Sequence, residues 1–166
     1  ILLNMHDEDI FLRSNKGFAY LCVAPCILFS AAVWFTPNSA GIVIAHTFQV
    51  YFSILLFYLS LRVWSLRDNF DGRYSKELKM IAIAPALLAF LGVLLTLYLN
   101  PAWGIGFLMV GFYLFRFVRI SFFIFQDLSI SYLDLFNRIS IILCICLVLI
   151  FTYWLNPYSK PIEIYI

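Results

Sequence analysis

Four polar residues recur at helical spacing inside an otherwise apolar stretch, HTFQVYFSILLFYLSLRVW: His46, Gln49, Ser53 and Ser60. At about 100° per residue they share one narrow face of a helix. Phe48, Tyr51, Phe52, Leu55 and Tyr58 lie on the other face. In hydrocarbon an unpaired polar group is costly, so such a stripe turns towards other protein or towards a polar path. The imidazole of His46 could hydrogen-bond across a bundle, relay a proton or meet a quinone headgroup. A lone histidine cannot supply both axial ligands of a b-type haem.

Arg62, Arg116, Arg119 and Arg138 form the second group with chemical potential. Each falls at the end of an apolar run, where a long side chain reaches the membrane interface and its phosphates, those of cardiolipin among them. The cysteines carry less. Cys22 and Cys26 are one turn apart, Cys144 and Cys146 flank one residue, and all four lie in apolar runs without histidine or carboxylate neighbours. They read as small buried hydrophobes rather than metal or redox ligands. His6, Asp7 and Asp9 read as a solvated tail rather than a metal cluster. The acids fall outside the apolar runs: Asp68, Asp71 and Glu77 in a polar loop, Asp127 and Asp134 in a connector. No serine has a base within local reach and no Gly-rich phosphate loop is present, so neither catalysis nor a cofactor is expected.

The elements that must position these residues follow from composition. Of 166 residues, 64% are hydrophobic, 19% aromatic and 12% charged, against roughly 25% charged in a soluble domain. The mean hydropathy is +0.95. No charge occurs between Lys16 and Arg62, nor between Lys79 and Arg116. A membrane span takes about 20 apolar residues, so the first gap holds two helices and a turn. The net charge of +2 is too small to argue for nucleic acid.

Five spans are predicted, over about residues 17–35, 42–61, 80–99, 102–119 and 139–155. Residues 1–16 form an interfacial or partner-bound tail, 17–156 the transmembrane domain, and 157–166 a short C-terminal tail. Pro25 and Pro85 fall within spans, where proline is tolerated. Thr36-Pro-Asn-Ser39, Asp71-Gly72, Asn100-Pro101 and Asn156-Pro157 are breakers. Ser75 caps the third helix. Residues 122–137 read as a connector along the membrane surface, with Ser131 and Asp134 spaced as in a capping box. Gly104 and Gly111 share a face of the fourth helix, which favours close packing. The chain opens on Ile1 rather than Met, so it is expected to be processed or incomplete.

Charge sets the orientation. With five spans, Arg13, Lys16, Arg62, Arg67, Arg73, Lys76, Lys79, Arg116, Arg119 and Arg138 lie on one side and only Lys160 on the other. The positive-inside rule puts the N-terminus in the matrix or cytoplasm. Trp34, Trp103 and Trp154 then make an outer aromatic belt and Trp64 an inner one.

The order of features carries a resemblance. A proline-bearing first helix precedes a second that ends in Leu61-Arg-Val-Trp64-Ser65. Ile83 to Leu95 (IAPALLAFLGVLL), a short break and a fourth helix follow. Tyr132-Leu133, Arg138 and Ser140 lead into the last. Over about residues 17–155 this resembles the transmembrane protein 69 family, a domain-of-unknown-function group of proteobacteria and mitochondria. The family usually has His-Trp-Gly where this chain has Val63-Trp64-Ser65, and glycines where Leu59, Ser60 and Leu61 stand. The resemblance implies an inner-membrane protein of about five helices and supplies no reaction.

The expectation is therefore an all-α, polytopic membrane bundle in the mitochondrial inner membrane, or alternatively a bacterial inner membrane. Its expected role is that of a non-catalytic accessory or assembly subunit of a respiratory-type complex, with other membrane subunits and phospholipid as partners. The alternative is a small transporter or lipid-handling protein with a polar path at His46, Gln49 and Ser53.

Overall fold

Prolines set the two tight reversals of the chain. Thr36-Pro37 separates the first two helices, because the residue before a proline is pushed out of the helical region. Asn100-Pro101 separates the third and fourth. There Asn100 Oδ1 accepts from the Ala102 amide at 2.9 Å, and the Asn100 carbonyl accepts from Trp103 and Gly104 at 3.1 and 3.2 Å. Asn100 is thus an N-cap and Pro101 the first helical residue, a position that needs no N–H.

A computed structural model describes the backbone of residues 2–66, 75–121 and 130–156, and the side chains of 17–61, 83–117 and 134–156. Among the described residues the chain is all helical, with no strand: α1 (Leu2–Phe35), α2 (Asn38–Leu66), α3 (Ser75–Tyr98), α4 (Pro101–Ser121) and α5 (Ile130–Trp154). Gly17–Phe35, Asn38–Leu61 and Asp134–Trp154 are long and apolar enough to cross a membrane, and Ile83–Tyr98 and Pro101–Phe117 are shorter apolar stretches. The chain is therefore a membrane-associated helical protein. The expected turn at Asp71-Gly72, residues 122–129 of the connector and the tail from 157 on lie outside the described residues, as do the side chains of His6, Asp7, Asp9, Trp64, Ser75 and Ser131.

Several helices are longer than their apolar runs predict. The stretch expected as a tail is already helical from Leu2, and the second half of the expected connector belongs to α5. Extending an existing helix adds one hydrogen bond per residue without a new nucleus. In α5 the extension is supported by Asp134 and Arg138, four residues apart, whose carboxylate and guanidinium meet at 3.0 Å.

Contacts between helices give their directions. Tyr51 Oη donates to the Cys22 carbonyl at 2.7 Å, so α2 runs back along α1. Gly92 faces Leu108 and Gly104 faces Thr96, so α4 runs back along α3. Trp34 packs on Tyr153 at 6.1 Å, which puts the ends of α1 and α5 together. Helices α1, α3 and α5 thus run one way and α2 and α4 the other. One end of the bundle holds both proline reversals and the end of α5. The opposite end holds Arg116 and Arg138 and is called the basic end below.

Helix α2 packs on α1, α3 and α4, so more than its polar stripe is covered. Phe48, Phe52 and Leu56 are buried with Ile105, Leu108 and Phe112 of α4 and Leu143, Leu147 and Ile150 of α5. Phe48 stacks on Phe52 at 5.8 Å, and Phe112 meets Phe52 edge-on at 5.5 Å. One sequence expectation is corrected. Trp154 is 0% exposed and belongs to the core rather than to an outer belt, whereas Trp34 and Trp103 are exposed. The last turn of α5 places the Trp154 indole edge-on to His46 of α2, at 5.3 Å.

Candidate functional site

The polar stripe of α2 turns inwards, and all its hydrogen bonds but that of Gln49 stay on its own helix. Gln49 is 0% exposed and its Nε2 donates to the Pro101 carbonyl at 2.9 Å, tying α2 to the first turn of α4. Ser53 Oγ donates to the Gln49 carbonyl at 2.8 Å and Ser60 Oγ to the Leu56 carbonyl at 2.9 Å. Both hydroxyls are therefore satisfied one turn back on their own helix. His46 Nδ1 lies 2.9 Å from the Ile42 carbonyl, to which it donates. The four residues share one helix face, yet none of these bonds links one stripe side chain to the next. As arranged, they fix helices rather than line a continuous polar path.

The arginines divide into three cases. Arg138 is exposed and paired with Asp134. Arg116 is half-buried and held by neutral groups of α5: Nη2 donates to Asn137 Oδ1 at 3.3 Å, and Nη1 lies 3.9 Å from Cys144 Sγ. Arg62 and Arg119 fall in the last turns of α2 and α4, with side chains outside the described residues. Arg116 and Arg138 thus lie at one end of the bundle, Arg116 being bonded to Asn137, the residue before Arg138.

Cys26 and Cys146 are buried, and Cys22 and Cys144 half-buried; all are free thiols. Among the described residues no group of three His, Cys, Asp or Glu side chains is placed to hold a metal ion.

Two hollows stand beside these residues. A lateral groove of about 460 Å³ runs between α2 and α3, walled by Ile54, Phe57, Leu61, Ile83, Leu87 and Phe90, with Ser53 and Ser60 at its floor. A more enclosed pocket of about 140 Å³ lies among α1, α2, α4 and α5, with Ser140 in its wall.

Some of the residues that matter most here carry no outward sequence signal. Tyr51 reads as a lipid-facing aromatic until its hydroxyl is seen to reach α1. Thr96 is legible only in pairing: it sits four residues after Gly92, and both face Gly104 across the hairpin. The distance of each from Asn100 is the signal that could have found them. Comparison of the chain with models of known protein families, with curated proteins and with solved structures yields no match.

Proposed function

We propose that this chain is a non-catalytic accessory or assembly subunit of a larger inner-membrane complex, mitochondrial and respiratory in setting, which packs against other membrane subunits and lipid. In this reading all five helices span the bilayer, with the N-terminus on the matrix side. The observation that carries the reading is the apolar groove between α2 and α3. Its walls present Ile54, Phe57, Leu61, Ile83, Leu87 and Phe90 as exposed large side chains in one strip. A neighbouring transmembrane helix of another subunit fits such a strip by van der Waals packing, which drives helix association where water supplies no force. The donors Gln49 Nε2, Ser53 Oγ and Ser60 Oγ point the same way, because each is turned to a backbone carbonyl of the bundle. The resemblance to the transmembrane protein 69 family supports the inner-membrane setting, and the ten basic residues on the side of the N-terminus support the orientation.

Gentle extraction from native membranes should recover the chain in a stable complex; recovery only as a free monomer contradicts the role. Replacing His46 and Gln49 together by leucine separates scaffold from transporter. A scaffold loses the Gln49–Pro101 and His46–Ile42 bonds and one aromatic contact, about 2–4 kcal/mol of bundle stability, and at most part of its assembly. A solute path through this face would instead close completely, which flux in reconstituted vesicles would show.

A further inference from the structure

Arg116 places a cation inside an apolar stretch. Its guanidinium spans two neutral groups of α5: Nη2 donates to Asn137 Oδ1 at 3.3 Å, and Nη1 stands 3.9 Å from Cys144 Sγ. The apolar stretch of α5 runs from Asp134 to Trp154, and Asn137 and Cys144 follow Asp134 by three and ten residues. They stand about 5 and 15 Å into that stretch, with the guanidinium between them. The lean of a helical side chain agrees. It tilts towards the N-terminus of its own helix, and α4 begins at the Asn100-Pro101 reversal, so Arg116 leans away from the basic end. An arginine at such a depth is costly unless it meets a counter-charge or a polar cavity. Asp134 is the one carboxylate among the described side chains, and Arg138 holds it at 3.0 Å. The surface around Arg116 is apolar and open. Tyr113 and Phe117 of α4 are exposed, and so are Ile141 and Val148, which share a face of α5 with Asn137 and Cys144.

We propose that the α4–α5 face receives a transmembrane helix of a neighbouring subunit that carries one aspartate or glutamate, whose carboxylate pairs with Arg116 inside the span. This rests on the reading of the chain as a subunit of a membrane complex, and it gives that partner a chemistry. A carboxylate matches the planar fork of a guanidinium. A helix brings a carboxylate to this depth with its own backbone groups satisfied. A lipid phosphate stays at the interface, about 10 Å further towards the basic end. The α2–α3 groove differs, since its lining holds no charged residue and selects by shape alone.

The test replaces Phe117, exposed beside Arg116, by the photo-reactive p-benzoylphenylalanine in the full chain. The chain is irradiated in its native membranes, and the crosslinked peptide is read by mass spectrometry. The expected product is a transmembrane peptide of another protein with an Asp or Glu within about two helical turns of the attachment point. Arg116→Gln should lower recovery of the native complex at least about tenfold, as for a desolvated charge pair that loses one partner. Arg116→Glu should lower it further, and exchanging the partner's acid for arginine should restore it. Isolated in detergent, Arg116→Gln should keep the wild-type Tm; should it melt lower, the exchange decides. A loss of recovery that the exchange does not restore overturns the proposal, because Arg116 then only ties α4 to α5. So does a crosslink confined to lipid, to a second copy of this chain, or to the segment around Asp127, which lies outside the described residues. Recovery unchanged in Arg116→Gln sinks the charge pair and leaves the accessory role standing. A wild-type chain recovered only as a free monomer sinks both.

Discussion

Gly104→Ala is expected to destabilise the bundle by about 2–3 kcal/mol, and Gly106→Ala, two residues away, to be neutral or mildly stabilising. The same added methyl group meets opposite surroundings. At Gly104 a Cβ would overlap Thr96 Oγ1 and stand 2.8 Å from the Gly92 carbonyl oxygen and 2.9 Å from the Thr96 amide nitrogen. Two of those three atoms are backbone, so relief requires α3 and α4 to separate. Separation in turn loosens Gly92 against Leu108, a contact so close that a Cβ on Gly92 would stand 2.9 Å from the Leu108 side chain. At Gly106 a Cβ meets nothing within 4 Å, so alanine brings only its better helix propensity. Thermal unfolding of both variants in detergent checks this, and equal Tm values would mean that the α3–α4 hairpin is not closely packed at Gly104.

Trp154→Ala is expected to cost about 3 kcal/mol, the lower end of the range for deleting a buried aromatic. In a bilayer the transfer part of that cost shrinks, because lipid is as apolar as the core, and the lost packing remains. Trp154 is 0% exposed and touches His46 and Tyr153, and Tyr153 continues the contact to Trp34. Deleting it therefore opens a void where α1, α2 and α5 meet. Trp103, 67% exposed, should tolerate alanine within about 0.5 kcal/mol. Unfolding of the pair in detergent distinguishes a core tryptophan from a belt one. If the two behave alike, the end of α5 does not pack as described.

The contrast between those tryptophans shows how far the sequence can be read. Hydropathy placed the helices and the prolines placed the reversals, because both act locally. Gly104 and Gly111 could be assigned to one packed face from their spacing alone, and both face α3. Which of three tryptophans at one end turns inwards depends on which helices become neighbours, and no local pattern encodes that. The same holds for Tyr51, whose partner is a carbonyl 29 residues away, and for Ser140, whose unpartnered hydroxyl is visible only once four helices surround it. The polar stripe of α2 was legible as a face and not as a network: Ser53 and Ser60 bond their own helix, so their spacing says nothing about each other. Helix ends were the least legible, since α1 and α5 continue through polar residues that hydropathy assigns to a tail and a connector.

Topology is the most direct test. The alternating directions of α1 to α5 place the residues before Gly17 at one end of the bundle and Asn156 at the other. If α3 and α4 cross the membrane with the three longer apolar helices, reporters inserted before residue 17 and after residue 156 must report from opposite faces. Protease protection of the two reporters in sealed and opened membrane vesicles should give opposite patterns. Identical protection at both positions would contradict a five-span bundle.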